Sequence, residues 1–404
     1  MRVQEILSAF SIIYDNDCCV FESADTIRGH VLIRSRREIN VSRLELAIRG
    51  DVQLKNPKSG CVLSLQRHVN ITDTLKLGRY IKNDASEKLK FNLILPSDLY
   101  PSVDCKSTTI IYYVQARVYF SYDTEEYTSS IARGFTIIEK VSLDTLSSHY
   151  FTHKSWHFDR SYGICPCTRG RITVDLTYER LAFLPGEHIV IKGSIKNNTG
   201  RRVDYLKVLL EKIVTIKKVF DKCEEEVSEE VILTRDEPLA MFVEPGVQLV
   251  ISKNFPLPSM RPSNPNGISI PPYKVYISYR LNAVVRHNGQ QYMGTSIPIV
   301  IGTELRSTTH RVQRECSAKK LIYYSDKTEG NVPIGEDSPH CFVSAKNLKF
   351  MNLYPYFVNL ETSSKQSRRI HKLATAIRAE NNFLAKLRSA KDSKEGESSA
   401  ATSP

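Results

Sequence analysis

Three kinds of feature are missing from this 404-residue sequence. No apolar run approaches the roughly 18 residues that a membrane-spanning helix needs. The opening residues, MRVQEILSAFSIIYD, lack the basic segment and the long apolar stretch of a secretory signal. The nine cysteines are an odd number without the spacing of a disulfide framework. We therefore expect a cytoplasmic protein that keeps its thiols reduced and has no membrane span.

Catalytic signatures are also missing. The sequence contains no Gly-x-Ser-x-Gly elbow, no Gly-x-x-x-x-Gly-Lys-Ser/Thr loop, no Gly-x-Gly-x-x-Gly turn and no His-Glu-x-x-His pair. We accordingly assign no catalytic residue, no cofactor and no metal ligand. The sequence predicts a protein that is not an enzyme.

Positive charge is in excess, with a formal net charge of +12 and an isoelectric point near 9.1. This surplus favours acidic partners without choosing among them. Basic clusters at 34–37 (RSRR), 201–202 and 217–218 are more typical of solvated surface than of binding sites, and they lack the interleaved aromatics that stack nucleic-acid bases. We expect no nucleic-acid partner. The acidic run 224–230 is interpreted as a solvated loop.

Apolar residues recur with a period of two along most of the chain. Leu44, Leu46, Ile48, Val52 and Leu54 alternate with polar residues, which is the pattern of a half-buried strand. The same alternation returns at 112–120 and 172–178 without intervening helical patterns. Successive strands of this kind, separated by Gly, Pro, Asn and Ser turns, predict antiparallel sandwiches and an all-β fold.

An internal repeat indicates two domains. Residues 21–25 (FESAD) match 183–187 (FLPGE), and 95–97 (LPS) match 257–259 (LPS), both at an offset of 162. Tyr112 and Tyr279 open a second matching pair, Tyr-x-Val/Leu-x-Ala, at an offset of 167. The second copy therefore has a loop five residues longer, in the proline-rich stretch 262–272. We interpret the body as a tandem duplication.

The repeated phrases resemble the arrestin family. LAFLPGEHIVIKGSIKNNTGRRVDYLKVLLEK looks like the opening of an arrestin C-domain, LKFNLILPSDLYPS like the N-domain bend, and 296–303 (SIPIVIGT) like the closing C-domain strand. The resemblance spans about residues 8–305. A short linker with Cys165-Pro166-Cys167 is more similar to the arrestin-domain-containing, or alpha, branch. The first copy departs from the family in having Ser-Ala-Asp at 23–25 where Pro-Gly-Glu is usual.

The resemblance implies two tandem arrestin-like, immunoglobulin-type β-sandwich domains at residues 1–150 and 171–305, with a linker at 151–170 and a tail at 306–404. It also implies a non-enzymatic cytoplasmic adaptor that links membrane-protein cargo to endocytic and ubiquitin trafficking machinery, peripheral at the plasma membrane or endosomes. A retromer-like coat or sorting-complex subunit of the same fold is the alternative function. A metal-binding or nucleic-acid-binding protein is a distant one.

A ubiquitin ligase is an expected partner whose usual recruiting motif is missing. Members of the alpha branch carry Pro-Pro-x-Tyr motifs in the tail, which bind WW domains as a polyproline helix. Here the tail has none, and Pro271-Pro272-Tyr273 has its tyrosine one place too early. The sequence therefore predicts no direct WW-mediated recruitment.

The linker contains residue types that bind metal ions. His149, His153 and His157 are spaced by four, and Cys165 and Cys167 follow; imidazole and thiolate both suit zinc. The segment is rich in aromatics, and Cys-x-Cys is not the common knuckle spacing. We favour packing at a domain junction over metal binding.

The tail contains one strong helical pattern, residues 365–391 (KQSRRIHKLATAIRAENNFLAKLRSAK), with eight Lys/Arg against one Glu. The candidate membrane- or partner-binding residues of this basic amphipathic helix are Arg368, Arg369, Ile370, Lys372, Leu373, Ile377, Leu384 and Leu387. Two interpretations stay open: a helix docked on the body, or a helix on an anionic membrane surface or in a partner groove. The final residues have a disordered composition. Upstream, the apolar patch 353–357 is expected to fold back onto a domain.

Overall fold

The structure, a computed structural model of the chain, describes residues 3–16, 18–162, 170–219, 224–227, 238–294, 296–304, 319–323, 331–333 and 345–359. Among the described residues, 3–304, 323, 331–333 and 345–356 belong to one compact unit, and 319–322 and 357–359 belong to a second. Strands dominate the described residues, which confirms the predicted all-β class of tandem sandwiches. The predicted domain boundaries stay a prediction.

The N-terminal sandwich contains nine strands, preceded by the short helix α1 (Val3–Ile6). The strands are β1 (Leu7–Tyr14), β2 (Val20–Phe21), β3 (Thr26–Ser35), β4 (Ile39–Lys55), β5 (Val62–Ile81), β6 (Ser86–Ile94), β7 (Val103–Asp104), β8 (Thr108–Tyr122) and β9 (Glu125–Ile137). A small sheet has the order β1-β3-β6, and a large sheet has the order β2-β9-β8-β4-β5, with β7 beside β8.

Two 3-10 turns, Leu143–Thr145 and Ser148–Phe151, lead into the C-terminal sandwich. Its strands are β10 (Lys154–Tyr162), β11 (Gly170–Tyr178), β12 (Ala182–Phe183), β13 (His188–Asn197), β14 (Val203–Lys218), β15 (Glu224–Val227), β16 (Ala240–Val243), β17 (Gln248–Pro256), β18 (Asn264–Ile270), β19 (Tyr273–His287), β20 (Gln290–Met293) and β21 (Ile297–Ile301). The small sheet is β10-β11-β13-β17 and the large sheet is β12-β21-β19-β14-β15.

The remaining described elements are β22 (Lys319–Tyr323), β23 (Val332–Pro333), α2 (Ala345–Leu348) and β24 (Pro355–Asn359). β22 and β24 pair with each other, whereas β23 pairs with β9.

Each sandwich buries the residues that the alternation predicted. Leu44, Leu46 and Ile48 of β4 and Ile172 and Val174 of β11 are all nearly inaccessible to solvent. Their polar neighbours in the sequence lie on the opposite faces of the sheets, because successive side chains of a strand point to opposite sides. The apolar faces of the small and large sheets meet and form the cores.

The two copies share a buried tyrosine contact. The hydroxyl of Tyr112 donates a 2.8 Å hydrogen bond to the carbonyl of Tyr100, and the hydroxyl of Tyr279 donates one of 2.8 Å to the carbonyl of Arg261. A buried phenol needs such a partner, since an unpaired one carries the full cost of desolvation. The pair of tyrosines noticed in the sequence therefore fixes the same loop in each copy.

A serine two residues after each of these carbonyl acceptors, Tyr100 and Arg261, repeats the pattern. The Ser102 hydroxyl accepts from the backbone N–H of Ile137, and the Ser263 hydroxyl accepts from that of Ile301, both at 2.9 Å. Each of these isoleucines ends the closing strand of its sandwich. The loop and the closing strand are thus joined in the same way twice.

The acidic turn is also the same in both copies. The Asp25 carboxylate accepts a 2.7 Å bond from the backbone N–H of Glu22, and the Glu187 carboxylate accepts one of 2.8 Å from that of Leu184. Gly186 takes a positive φ of 93° in the second turn, which glycine adopts without strain. Each acid therefore satisfies a backbone donor within its own turn.

Two local expectations were wrong. Residues 224–227, interpreted as loop, form β15, which pairs with residues 214–217 of β14. The proline-rich stretch 262–272 contains β18, which pairs back onto β19. In both places hydrogen bonding to a long neighbouring strand outweighs a local composition that favours loop.

Candidate functional site

A segment from beyond the second domain returns to the N-terminal sandwich. We call residues 331–333 and 345–356 the C-terminal strap. Its first part adds β23 to the edge of β9, with Val332 opposite Ala132. The side chain of Asn331 accepts a 2.6 Å bond from the backbone N–H of Ile12 and donates one of 3.2 Å to its carbonyl. The strap thus bonds to the exposed edges of both N-terminal sheets.

The second part of the strap covers the outer face of the large sheet. Phe350 is buried and rests on Gly134 of β9, where a Cβ atom would lie 2.7 Å from the phenyl Cδ1. Only a glycine leaves room for the ring at this position. Leu348 of α2 is also fully buried. Two apolar anchors therefore hold the strap on the sheet.

The end of the strap crosses from one sandwich to the other. The Leu353 N–H donates a 2.9 Å bond to the Thr136 hydroxyl of β9. One residue on, the Tyr354 carbonyl accepts a 3.1 Å bond from the Ser259 hydroxyl of the C-terminal copy. For these two residues, the expectation that the apolar patch folds back onto a domain is confirmed.

Beneath the strap lies a polar contact between the sandwiches, which we call the interdomain junction and define as Ser102, Glu139, Arg261, Asn264 and Tyr354. Arg261 is 5% exposed, and its Nε donates a 3.1 Å bond to the Ser102 carbonyl of the other copy. Its Nη1 is buried without a hydrogen-bond partner in the described part of the chain. The guanidinium is therefore a charge enclosed between two domains, which is costly unless nearby groups offset it.

Glu139 supplies an offsetting carboxylate. Its Oε2 accepts a 2.8 Å bond from the Asn264 side chain of the C-terminal copy. Burial raises the pKa of Glu139, while the charge of Arg261 and the Asn264 hydrogen bond act in the opposite direction. Burial likewise raises the pKa of Tyr354, again opposed by Arg261. Tyr354 belongs to both the strap and the junction, and the charge of Arg261 acts on it there.

The junction and the strap were both missed by reasoning from the sequence. Arg261 and Glu139 are single polar residues without a motif, and only the folded chain brings them together. The repeat held one usable signal, because Arg261 follows the second Leu-Pro-Ser phrase and stands where the first copy has Tyr100. The strap's two-residue strand is too short for any periodicity.

The tail residues and the Cys-x-Cys pair that the sequence singled out are not among the residues that the structure describes. Arg368, Arg369, Ile370, Lys372, Leu373, Ile377, Leu384 and Leu387 fall outside the described residues. The same holds for Cys165 and Cys167.

The linker histidines have partners of their own. His157 lies in β10 and contacts the Asp175 carboxylate at 2.6 Å, and His149 contacts the Ser147 hydroxyl at 2.6 Å. Within the described ranges, no three His, Cys, Asp or Glu side chains are grouped as a metal would require. Trp156 of the same segment is buried in the core, in keeping with its interpretation as packing. No helix of the described part is both long and apolar enough to cross a bilayer.

Comparison with known families agrees with this architecture. Residues 10–144 match the family described as "Arrestin (or S-antigen), N-terminal domain", and residues 168–305 match "Arrestin (or S-antigen), C-terminal domain". The matched ranges together cover more than half of the chain and contain both halves of the repeat. Proteins of this family are generally non-enzymatic adaptors that bind cargo and trafficking proteins. The chain belongs to the arrestin family.

Proposed function

We propose that this protein is a cytoplasmic adaptor of the alpha-arrestin type, which links membrane-protein cargo to endocytic and ubiquitin trafficking machinery. One observation carries the proposal: the N-terminal sandwich already holds an extended segment, namely the C-terminal strap. A fold that binds a strand in this way is equipped to bind peptides.

The manner of binding supports recognition of extended peptides. Backbone pairing between β23 and β9 is independent of sequence, whereas the seats of Leu348 and Phe350 select apolar side chains. Strand addition commonly divides its work in this way, with affinity from the main chain and specificity from alternate side chains. A partner segment with two apolar anchors would compete with the strap for the same surface.

Recruitment of a ubiquitin ligase would need a route other than a Pro-Pro-x-Tyr motif. The nearest match, at 271–273, lies in the turn between β18 and β19, where Tyr273 already pairs within the sheet. We propose that a partner bound at the sandwiches, rather than a WW domain on the tail, provides the ligase connection.

Proximity labelling with quantitative mass spectrometry tests the adaptor function in cells. The full chain, Phe350→Asp and Met351→Asp are compared; Met351 is 62% exposed and serves as the matched control. We expect membrane proteins and endocytic or ubiquitin-pathway proteins among the labelled set, and more of them with Phe350→Asp, since that change frees the site. Met351→Asp should resemble the wild type.

Two results would contradict the proposal. Purification in a stable, stoichiometric complex would indicate a coat subunit of the same fold. A labelled set without membrane or trafficking proteins, unchanged by Phe350→Asp, would remove the adaptor function.

A further inference from the structure

The small sheet of the N-terminal sandwich carries a strongly basic outer face. Residues of β3 and β6 that point away from the core include Arg28, His30, Arg34, Lys88 and Lys90, and we call these five the basic sheet face. His30 lies directly opposite Lys90 in the register. Four permanent positive charges therefore stand on two adjacent strands.

No acidic side chain neutralises this face from within it. The other outward residues that are paired in the three strands are Ala9, Ser11, Ile13, Thr26, Leu32, Ser86, Asn92 and Ile94. Asp15, just beyond the end of β1, borders the face next to Arg28. None of the four Lys/Arg has an ion-pair partner among the described residues, so their charge is directed to solvent.

The equivalent face of the second copy shows that such a charge is not required by the fold. There Arg171 pairs with Asp159 at 3.0 Å, and His157 contacts Asp175 at 2.6 Å. Only His188, Lys192 and Lys196 remain, all on β13. The same sheet in the same sandwich is thus nearly neutral in one copy and uniformly basic in the other.

The geometry points to an anionic lipid bilayer as the ligand of the basic sheet face. We infer that the N-terminal sandwich lays this face on membranes rich in acidic headgroups. The bases extend over about 20 Å of β3, from Arg28 to Arg34, at the usual rise of about 3.3 Å per residue. Arg28 borders an open pocket that Asp15 and Asp25 also line, whereas the other four bases rise from the sheet surface. A flat arrangement of this kind suits a planar partner better than a peptide.

Apolar residues among the bases fit the same ligand. Ile94 at the end of β6 is 72% exposed, and Leu32 and Ile13 are half-buried beside Lys88 and His30. A membrane interface accepts such a mixture, because headgroups attract the bases while the acyl boundary accepts the apolar groups. No aromatic side chain points outward from these strands to stack a nucleic-acid base. This inference goes beyond the proposed adaptor function and does not depend on it.

Vesicle sedimentation of the full chain tests the inference. Wild type, Lys88→Ala/Lys90→Ala and the matched control Lys192→Ala/Lys196→Ala are mixed with phosphatidylserine-containing vesicles and with phosphatidylcholine vesicles. Each base near an anionic surface contributes about 1 kcal/mol, which is about fivefold in affinity. We expect the Lys88/Lys90 pair to lose roughly 20- to 30-fold, with a weaker salt dependence, while the control changes less than threefold.

The exposed lysines make no contribution to either core, so equal melting temperatures of the three proteins verify the fold. The inference is overturned if wild type ignores anionic vesicles, if it binds neutral vesicles equally well, or if both double variants bind like wild type. If Lys88→Ala/Lys90→Ala still binds anionic vesicles but loses an acidic protein partner, the face binds that protein and the membrane inference is rejected. Because the vesicles contain no protein, none of these results depends on the adaptor function.

Discussion

The two sandwiches hold one loop by the same backbone contact, but they differ in the side chain that this loop presents. At the loop fixed by the buried tyrosine, the first copy carries Tyr100, whose ring stacks on His68 with centroids 3.9 Å apart. The second copy carries Arg261 at the equivalent position, and its guanidinium crosses to Ser102 of the first copy. The buried tyrosine holds only the backbone carbonyl of this loop residue. The side chain at this position can therefore differ, and in the second copy it contacts the other domain.

The closing strands differ in a similar way. Gly134 of β9 lies three residues before Ile137 and accommodates Phe350 of the strap. The residue three before Ile301 is Pro298, which is exposed and has no N–H to offer a further strand. Proline at a sheet edge discourages strand addition, whereas glycine leaves the face open. We therefore expect peptide recognition at the first sandwich.

The largest effect is expected from Arg261 and Tyr100, compared as Arg261→Leu and Tyr100→Leu. Loss of Arg261 leaves Glu139 without an offsetting charge and removes a charged hydrogen bond, so about 2 to 3 kcal/mol of stability should be lost. Loss of Tyr100 removes a partly exposed stack and should cost about 1 kcal/mol. Urea unfolding measures both. Equal losses would mean that Arg261 has no special role between the domains.

An intermediate effect is expected from the shared tyrosines. Tyr112→Phe and Tyr279→Phe each leave a buried carbonyl without its donor, which should cost about 1 to 2 kcal/mol. The two losses should agree within about 0.5 kcal/mol in urea unfolding, because the contacts have the same length. A large loss in one copy alone would show that the skeleton is not equivalent.

The smallest effect is a pH dependence confined to the second sandwich. His287 is 4% exposed, with its Nε2 3.1 Å from the Thr199 hydroxyl, and burial lowers its pKa. The neutral ring is therefore favoured in the folded state, and its contribution is complete above the unfolded pKa of about 6.5. That contribution is lost as the pH falls from there through the folded pKa.

Stability measured by urea unfolding at pH 7.5 and pH 5 should therefore fall more in wild type than in His287→Gln. Among the described histidines only His287 is buried, so His30→Gln in the first sandwich is the control and should behave like wild type. A pH response that survives His287→Gln unchanged would assign the effect to other groups.

The sequence predicted the skeleton because each of its signals is local or repeated. Alternation along β4 and β11 reports burial directly, and matching phrases such as LPS at 95–97 and 257–259 need only internal comparison. The junction was not predictable in this way, since Arg261 meets Ser102 across 159 positions of chain. The strap depends on the space above Gly134, which no neighbouring residue reveals. Long-range contacts between single residues leave no pattern in one sequence.

The proposed peptide site lies at the edge of β9 and on the outer face around Gly134, where the strap occupies it. The most direct test is the affinity of a fluorescent peptide of residues 328–357 for the full chain. A tethered strap competes at an effective concentration of about millimolar, so wild type and Met351→Asp should bind the peptide weakly.

Phe350→Asp, which loosens the chain's own strap, should bind the same peptide at least tenfold more tightly, and Gly134→Leu added to it should abolish that gain. Equal affinities of wild type and Phe350→Asp for the peptide, or a gain that survives Gly134→Leu, would contradict the claim.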